Sequence, residues 1–230
     1  MKIAFTGLNV AAGKVKYLDP AVVALEQQYQ PKKTTFYFFE LLQDDYQAAE
    51  AIAIHYSRLL DLLILDIEKV ETRLSRTTDP AEQAILKKAQ AHLEAEKPLC
   101  EMATTEPERV LLLQLSPFSL KATIVVTEES PKTDELLPRL MDKAGFMFFY
   151  TAGKQEVRSW FVPKGSDAVT CAARIHSDLA RGFVKAEIIS LDDMKQAHSF
   201  QDARAKGLTK LVDRDFVIQQ NTVLEIRFNV

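Results

Sequence analysis

Glycine is scarce in this sequence, with 7 among its 230 residues. Loops that wrap the phosphates of a nucleotide depend on glycine, because glycine lets the backbone approach the ligand closely. The low glycine content is therefore evidence against an enzyme that holds its substrate in such loops. Cysteine is scarcer still, since the chain has Cys100 and Cys171 and neither has a CxxC partner. That pattern is typical of a reducing compartment and is evidence against a zinc site or a disulfide framework.

Long apolar runs are missing as well. The longest, such as residues 59–65, are interrupted by aspartate and fall short of the roughly 20 residues that cross a bilayer. No basic segment followed by an apolar stretch and a cleavage site opens the chain. We therefore expect a cytoplasmic protein that does not contact a membrane. A net charge of −3 gives no overall field that would hold a polyanion, so we expect no DNA specificity.

The stretch GLNVAAGKVKYL, residues 7–18, follows a strand-like MKIAF and raises the question of a phosphate-binding loop. That loop reads G-x-x-x-x-G-K-[ST], because its backbone N–H groups surround phosphate oxygens while the last hydroxyl holds Mg²⁺. Here five residues separate Gly7 from Gly13, and Val15 replaces the hydroxyl. Valine cannot ligate a hard cation, so we expect a turn with a solvated lysine. Gly13 and Lys14 are the remaining candidates for nucleotide binding, and neither a cofactor nor a metal ion is expected.

Segments rich in apolar, β-branched and aromatic residues predict buried strands at residues 1–8, 34–42 and 121–129. The intervening region, from about residue 44 to 76, has no proline or glycine and predicts a long helix. Its apolar residues recur at spacings of 3 and 4, as in the seam of a coiled coil: Leu60, Leu63, Ile67, Val70 and Leu74. A second helix begins with Asp79 as N-cap, Pro80 at the first position and Glu82 at the third. Two helices joined by a short turn are expected to pair as an antiparallel hairpin.

The C-terminal part of the chain has a different pattern. A helix is predicted at residues 133–145, followed by short apolar strands separated by turn signals, at residues 146–152, 157–163, 183–190, 215–219 and 222–230. One clear helix, at about residues 169–180, lies among them. The simplest arrangement is a small mixed sheet that packs on one helix.

Several stretches resemble a known family. FFYTAGKQEVRSWFVPKG, IHSDLARGFVKAEIISLDDM and DFVIQQNTVLEIRFNV resemble the C-terminal TGS domain of the YchF or Obg-like ATPases. LLDLLILDIEKVETRLSR, with LEAEKPL after it, resembles the coiled-coil domain of that family, and DPAVVALEQQYQPKKTTFYF resembles its second strand region. The resemblance implies an α+β chain in three parts. These are a remnant of an α/β G-domain-like sheet at residues 1–43 and 116–145, an inserted antiparallel helical coiled-coil hairpin at residues 44–115, and a β-grasp (ubiquitin-like) TGS-like domain at residues 146–230.

The nucleotide motifs of that family are where the sequence departs from it. The phosphate loop, its helix and the first switch are missing between Leu8 and Lys16. The expected Asp-x-x-Gly reads E-L-L-Q at residues 40–43, and the expected Asn-x-x-Glu reads T-E-E-S at residues 127–130. Phosphoryl transfer depends on positioning and on charge stabilisation of the phosphates, so losing every such element leaves no expected ATPase or GTPase activity. No catalytic residue is carried over from the family.

Two other catalytic interpretations are weaker than their structural alternatives. His176-Ser177-Asp178 has the residue types of a triad, but triads are assembled from separated segments, so His176 is expected to pack or to form local hydrogen bonds. Cys100 could act as a nucleophile with His92 or His55. No activating cluster surrounds it in the sequence, and a buried cysteine usually behaves as a small hydrophobic residue.

Two groups of basic residues are candidates for contacts with a partner. On the predicted hairpin they are Arg73, Arg76, Lys87 and Lys88, and on the TGS-like part they are Lys164, Arg174, His176, Arg181 and Lys185. Such residues could meet the phosphates of an RNA. The alternative is scattered solvated charge, because Asp167, Asp178 and Glu187 are interleaved with the second group.

The sequence thus favours a non-enzymatic interaction or regulatory protein, a degenerate relative of the YchF-type nucleotide-binding proteins. The resemblance implies association with the ribosome, RNA or a protein through the hairpin and the TGS-like domain. The alternative is a protein that binds ATP or GTP with little or no hydrolysis. A third hypothesis is a homodimer in which the helix at residues 44–74 and exposed sheet edges pair with a second copy.

Overall fold

The structure is a computed structural model that describes residues 1–229. The chain folds as two compact units. The first consists of Met1–Val15 and Phe39–Ala144, and the second consists of Lys16–Phe38 and the residues from Gly145 onward. No helix in the described part of the chain is long and apolar enough to cross a membrane.

The strands over residues 1–229 are, in chain order, β1 (Lys2–Thr6), β2 (Gly13–Lys16), β3 (Lys33–Thr35), β4 (Phe38–Gln43), β5 (Ala51–His55), β6 (Ala122–Val126), β7 (Phe146–Ala152), β8 (Glu156–Pro163), β9 (Phe183–Ser190), β10 (Lys210–Val212) and β11 (Thr222–Phe228). The helices are α1 (Pro20–Tyr29), α2 (Tyr56–Leu74), α3 (Pro80–Glu94), α4 (Glu106–Gln114), α5 (Thr133–Lys143), α6 (Ala168–Ile175), α7 (Ser177–Arg181), α8 (Leu191–Met194) and α9 (Phe200–Ala205). Two short 3₁₀ turns lie at Leu99–Glu101 and Phe118–Leu120.

The first unit is built on a sheet with the strand order β2-β4-β1-β5-β6. The strand β1 is parallel to both β4 and β5, and β5 is parallel to β6. Every residue of β5, whose sequence is AIAIH, is buried. Because these four strands are parallel, their carboxyl ends meet at one edge of the sheet, where ligands bind in open α/β folds.

The strand β5 corrects the predicted start of the long helix. Residues 44–50 form a turn, residues 51–55 form a central strand, and α2 begins only at Tyr56. His55 is the N-cap of α2, and its Nδ1 accepts a hydrogen bond from the backbone N–H of Ser57 at 3.4 Å. The predicted seam is also wrong at Leu60, which is 50% exposed, whereas its neighbours Leu59 and Leu62 are buried.

The predicted antiparallel hairpin is confirmed as α2 and α3, with Asp79 as N-cap and Pro80 at the first position of α3. The hairpin packs on the sheet of its own unit. One apolar cluster joins Ile52 and Ile54 of β5 to buried residues of both helices, including Leu63 and Leu86. The helices therefore contribute to the core of the first unit rather than forming a separate coiled-coil domain.

A buried carboxylate fixes the segment that leads into β6. The side chain of Asp66, on α2, is fully buried and accepts hydrogen bonds from the backbone N–H groups of Phe118 and Ser119, each at 2.7 Å. Lys69 Nζ lies 3.5 Å from the same carboxylate. The hydroxyl of Ser119 in turn accepts from the backbone N–H of Leu99 at 3.1 Å. These contacts join the hairpin to both 3₁₀ turns.

The second unit is built on a mixed sheet with the order β10-β9-β11-β7-β8-β3. Its central strands β7 and β11 are parallel, as in the β-grasp arrangement, while β7/β8, β9/β11 and β9/β10 are antiparallel. The helices α6 and α7 pack on one face. The cluster there includes Phe149 and Trp160 from the sheet and Cys171 and Ala172 from α6. The fold class predicted from the sequence is thereby confirmed.

Residues 16–38 group with the second unit, although the sequence placed them in the first. The predicted strand at residues 34–42 is divided between two sheets, because β3 pairs with β8 while β4 pairs with β1. The helix α1 covers the face of the second sheet opposite α6. Its N-cap Asp19 accepts from the hydroxyl of Tyr150 at 3.0 Å, and Gln28 Nε2 donates to Met194 O at 3.0 Å.

Two predicted C-terminal elements are corrected. The helix expected at about residues 169–180 is broken at His176, whose backbone is extended with φ −163°, so that α6 and α7 are separate. The strand expected at residues 215–219 is reduced to an isolated bridge between Val217 and Asp167, and β10 takes the edge of the sheet instead. The last residue of the predicted strand 222–230 lies outside the described residues.

Glu187 is a buried carboxylate of the second unit, 1% exposed, that joins three elements. Arg204 of α9 donates to it through Nε at 2.8 Å and Nη2 at 2.6 Å, and Arg227 of β11 donates at 2.8 Å. The hydrogen bonds from Arg204 hold the pKa of Glu187 down to about 2. A carboxylate with a depressed pKa stabilises the fold while it is ionised.

We predict that the Glu187→Gln variant loses about 1–3 kcal/mol of the free energy of unfolding near neutral pH, because a neutral amide forms weaker hydrogen bonds to two arginines. In the unchanged protein this stabilisation is fully present above the ordinary carboxyl pKa of 4.5 and is lost as the pH falls from there towards about 2. Urea unfolding of both proteins from neutral to acidic pH therefore gives curves that converge in acid.

The matched control for this prediction is Glu225→Gln. Glu225 lies 3.6 Å from the same Arg204 but its side chain is 51% exposed, so its removal should cost less than about 1 kcal/mol. Two results would contradict this role of Glu187. One is an equal loss of unfolding free energy in both variants, and the other is a difference in unfolding free energy between Glu187→Gln and the unchanged protein that does not vary with pH.

Candidate functional site

The carboxyl edge of the first sheet is the place where a nucleotide would be held. The residues that follow β1, β5 and β6 meet there, and the first of them is Gly7. Its φ of +66° lies in the left-handed region that favours glycine. A Cβ at this position would lie 2.5 Å from Arg58 Cγ and 3.1 Å from His55 Cβ. The start of α2 thus packs directly against the turn that follows β1.

The segment after Gly7 uses its backbone N–H groups within the protein. Asn9 donates to Glu129 O, in the segment after β6, at 2.6 Å, and Val10 donates to Leu8 O at 2.9 Å. His55 Nε2 lies 3.1 Å from Thr127 O, which ties the end of β5 to the same segment. The backbone N–H groups of Asn9 and Val10 are therefore hydrogen-bonded within the chain, and the segments after β1, β5 and β6 contact one another at this edge.

Gly13 and Lys14 lie in β2, an edge strand separated from β1 by β4. A phosphate-binding loop instead places its glycines between a strand and the N-terminus of the next helix. Over the described residues the chain passes from β1 to β2 without an intervening helix. The structure therefore brings Gly13 and Lys14 to a solvent-facing strand and not to a loop of that type.

The basic residues of the hairpin divide into two kinds. Arg73 Nε pairs with Glu82 at 2.6 Å, and Lys88 Nζ lies 3.5 Å from Glu108. Arg76, in the turn after α2, and Lys87, on α3, are exposed, and no other side chain or carbonyl of residues 1–229 pairs with their charged groups.

The basic residues of the second unit do not form one face. Arg181 pairs with Asp178 at 2.8 Å on α7, Arg174 Nε donates to Phe161 O at 3.0 Å, and Lys164 follows β8. Lys185 is on β9, where Ala186 points to the α6 side of the sheet. Since side chains alternate along a strand, Lys185 faces the opposite side, where it pairs with Asp213.

The histidines and cysteines singled out in the sequence have structural roles. His176 caps α7 by accepting from the backbone N–H of Asp178 at 3.2 Å, and His92 Nε2 lies 3.1 Å from Pro98 O. Both cysteines are free; burial raises the pKa of Cys171 to about 12, and Cys100 is half-buried near Thr123 O. No group of three or more potential metal ligands occurs in the described part of the chain.

Sequence reasoning missed Arg58 and Asn9, the two residues that close the carboxyl edge. Neither belongs to a motif, and Arg58 lay inside what was predicted as continuous helix. The one signal available was the glycine at position 7 directly after a strand, which marks a tight turn or a close approach of another side chain.

Comparisons with known proteins agree with this architecture. Residues 146–229 match the family YchF-GTPase_C, described as "Protein of unknown function (DUF933)". The chain is therefore similar to the YchF/Obg-like ATPases, and the family model covers its C-terminal part. The structure of the YchF GTPase of Schizosaccharomyces pombe is similar to this one with a TM-score of 0.76 over 95% of this chain and 88% of that chain. At 17% sequence identity that similarity concerns the fold alone.

The chain spans less than two thirds of the length of the curated relatives it matches. The ribosome-binding ATPase YchF of Bacillus subtilis is 26% identical over 237 residues, which cover 74% of this chain and 65% of the relative. Obg-like ATPase 1 of Rattus norvegicus is 34% identical over 106 residues, which cover 44% of this chain and 26% of the relative. The aligned part of this chain has fewer residues than the first alignment has positions, so that relative contains stretches with no counterpart here.

We predict that Gly7→Ala lowers the free energy of unfolding by about 2–4 kcal/mol, because a Cβ adds a contact with Arg58 to the cost of a left-handed backbone. Gly145→Ala is the matched control, since Gly145 has a φ of +78° and open space around it, and it should cost only about 1–2 kcal/mol. Chemical unfolding of both variants measures the difference.

The double variant Gly7→Ala/Arg58→Ala tests the cause of this loss. If the contact is responsible, removing the Arg58 side chain restores part of the stability, and the two substitutions are non-additive. Strict additivity would show that Arg58 does not pack against Gly7.

Proposed function

We propose that this protein is a non-enzymatic interaction protein that binds the ribosome and neither binds nor hydrolyses ATP or GTP to a useful extent. The observation that supports the lack of nucleotide binding is the hydrogen bond from Asn9 to Glu129 O, together with the packing of Arg58 on Gly7. On this proposal, contacts within the chain have replaced the phosphate site.

A phosphate site needs several unpaired backbone N–H groups and the positive end of a helix. After β1 the N–H groups of Asn9 and Val10 are already paired, and the chain continues into β2. Binding a nucleotide at this edge would require breaking these contacts, and a typical intramolecular hydrogen bond contributes about 0.5–1.5 kcal/mol.

The relatives support the ribosome-binding part of the proposal. The Bacillus subtilis relative is named a ribosome-binding ATPase. We propose that the retained hairpin and TGS-like domain keep a ribosome contact in the cytoplasm, with Arg76 and Lys87 as the cations that meet RNA phosphates. Both are exposed and free of internal ion pairs, so binding RNA would not cost an existing contact.

We predict no saturable binding of radiolabelled ATP or GTP, with or without Mg²⁺, up to roughly millimolar nucleotide in equilibrium dialysis. A ligand at 100 times its Kd would stabilise the protein by about 2.7 kcal/mol, so a thermal shift provides a second readout. The Bacillus subtilis relative in the same assay is the positive control.

Saturable binding would contradict the proposal and favour a nucleotide-binding protein without turnover. The Lys14→Ala variant would then show whether the nucleotide binds at β2. Loss of binding in that variant would assign the nucleotide to β2, and unchanged binding would assign it elsewhere.

We predict that the protein sediments with Bacillus subtilis ribosomes and that Arg76→Glu/Lys87→Glu raises the Kd about tenfold or more. The slope of log K against log salt should fall by about 1 for each cation that contacts a phosphate. Sedimentation at several salt concentrations measures both quantities.

The control is Lys14→Glu/Arg139→Glu, which changes the net charge equally at exposed residues outside the hairpin. Its affinity should remain within about twofold of the unchanged protein, since only contacting charges are affected strongly at physiological ionic strength. Equal losses in both double variants would point to non-specific attraction, and an absence of sedimentation by the unchanged protein would reject the ribosome as partner.

A further inference from the structure

A cavity of about 480 Å³ lies in the first unit, at the amino ends of β5 and β6. It is on the edge of the sheet opposite the closed carboxyl edge. Its walls come from α4, from the segment before β6 that Asp66 holds, and from the end of α5. A volume of this size is typical of sites for small molecules.

Three cations line this cavity, and two of them, Lys121 and Arg109, have no carboxylate partner among residues 1–229. Lys121 Nζ donates to the carbonyl oxygens of Tyr46 at 2.6 Å, Gln47 at 3.2 Å and Ala49 at 2.8 Å. These neutral acceptors satisfy its three N–H groups but do not neutralise its charge. Burial lowers the pKa of Lys121, as expected for an ammonium group in such surroundings.

The other two cations differ in how much of their hydrogen bonding is used. Lys143 Nζ donates to Glu101 Oε1 at 2.9 Å and to Thr123 O at 2.7 Å. The guanidinium of Arg109, on α4, has no acceptor among residues 1–229. Its five N–H groups are therefore available to a ligand, in the planar geometry that suits a carboxylate or phosphate.

The acid in the cavity wall does not balance these charges. Glu50 accepts a hydrogen bond from the backbone N–H of Lys2 at 2.6 Å, and its carboxylate lies 3.8 Å from the N-terminal ammonium group. Its charge is thus engaged by the start of the chain. Among the charged residues that line the cavity, three are cations and Glu50 is the acid.

The rest of the wall is apolar. Leu113 lies one turn after Arg109 on α4 and is 52% exposed, although it is a large hydrophobic residue. Phe118 and Leu120 line the cavity beside it. Residues four apart on a helix are neighbours, so a cation and an apolar surface lie side by side.

We propose that this cavity binds a small organic anion, whose acidic group contacts Arg109 and whose apolar or aromatic body packs on Leu113 and Phe118. The site is independent of the nucleotide and ribosome proposals, because it lies at the other edge of the sheet and uses none of their residues. Its ligand class is set by one unpaired guanidinium and an adjoining apolar wall.

The test uses the fluorescent probe 8-anilino-1-naphthalenesulfonate and its uncharged analogue N-phenyl-1-naphthylamine with the full chain. The sulfonate should bind saturably at one site, and Arg109→Gln should weaken it about tenfold, the effect of losing one charge-assisted hydrogen bond. The uncharged analogue should bind both proteins equally. Arg76→Gln, the same change at an exposed arginine outside the cavity, should leave the affinity of the sulfonate unchanged.

Cys100 provides a second readout, because it lines the cavity while Cys171 is fully buried. We compare the rates at which an anionic and a cationic methanethiosulfonate modify Cys100, each divided by the rate of that reagent with a small uncharged thiol. The ratio of the anionic to the cationic value should exceed one. We expect Arg109→Gln to reduce this ratio by about threefold or more, since removing a nearby charge weakens the local attraction of anions. The bound sulfonate should protect Cys100.

Each other outcome overturns the proposal. These outcomes are an absence of sulfonate binding, equal affinity in Arg109→Gln, equal weakening in Arg76→Gln, and a bound sulfonate that leaves Cys100 unprotected. The chemical unfolding curve of Arg109→Gln should match that of the unchanged protein, because the altered side chain is exposed and forms no hydrogen bond or ion pair with residues 1–229.

Discussion

The first unit depends on the buried carboxylate of Asp66. A buried polar group is tolerated when its hydrogen bonds are satisfied, and here two backbone N–H groups of one 3₁₀ turn provide them. Removing the carboxylate would leave those donors buried and unpaired. The same contact sets where Phe118 and Lys121 stand, so the shape of the cationic cavity follows from a residue that does not line it.

Much of the fold was predictable from local patterns. The strand at residues 183–190 and the start of α3 at Asp79-Pro80 were predicted at their observed positions, because alternation and capping are properties of short segments. The strand β5 was not, since AIAIH suits a helix as well as a strand and no glycine or proline marks its end. Pairing with β1 and β6 determines that this segment forms a strand and not a helix. The division of residues 34–42 between two sheets has the same origin.

The candidate sites show a similar limit. The spacing of Gly7, Gly13 and Val15 predicted that no standard phosphate loop forms. It could not reveal that Arg58 packs on Gly7, because that contact joins residues far apart in the chain. The sequence could not show which basic side chains form ion pairs within the chain and which do not. Arg109 was missed entirely, since α4 itself was not predicted.

The placement of residues 16–38 has a consequence for the order in which this chain can fold. In this chain β3 pairs with β8, and α1 packs beneath β7 and β8, which are synthesised more than a hundred residues after α1 and β3. Until then α1 and β3 have no partner, and the second sheet cannot close its β8 edge. Such long sequence separations slow folding. The C-terminal domain of this chain is therefore completed by its own N-terminal segment, and residues 146–229 alone would present an open strand edge to other molecules.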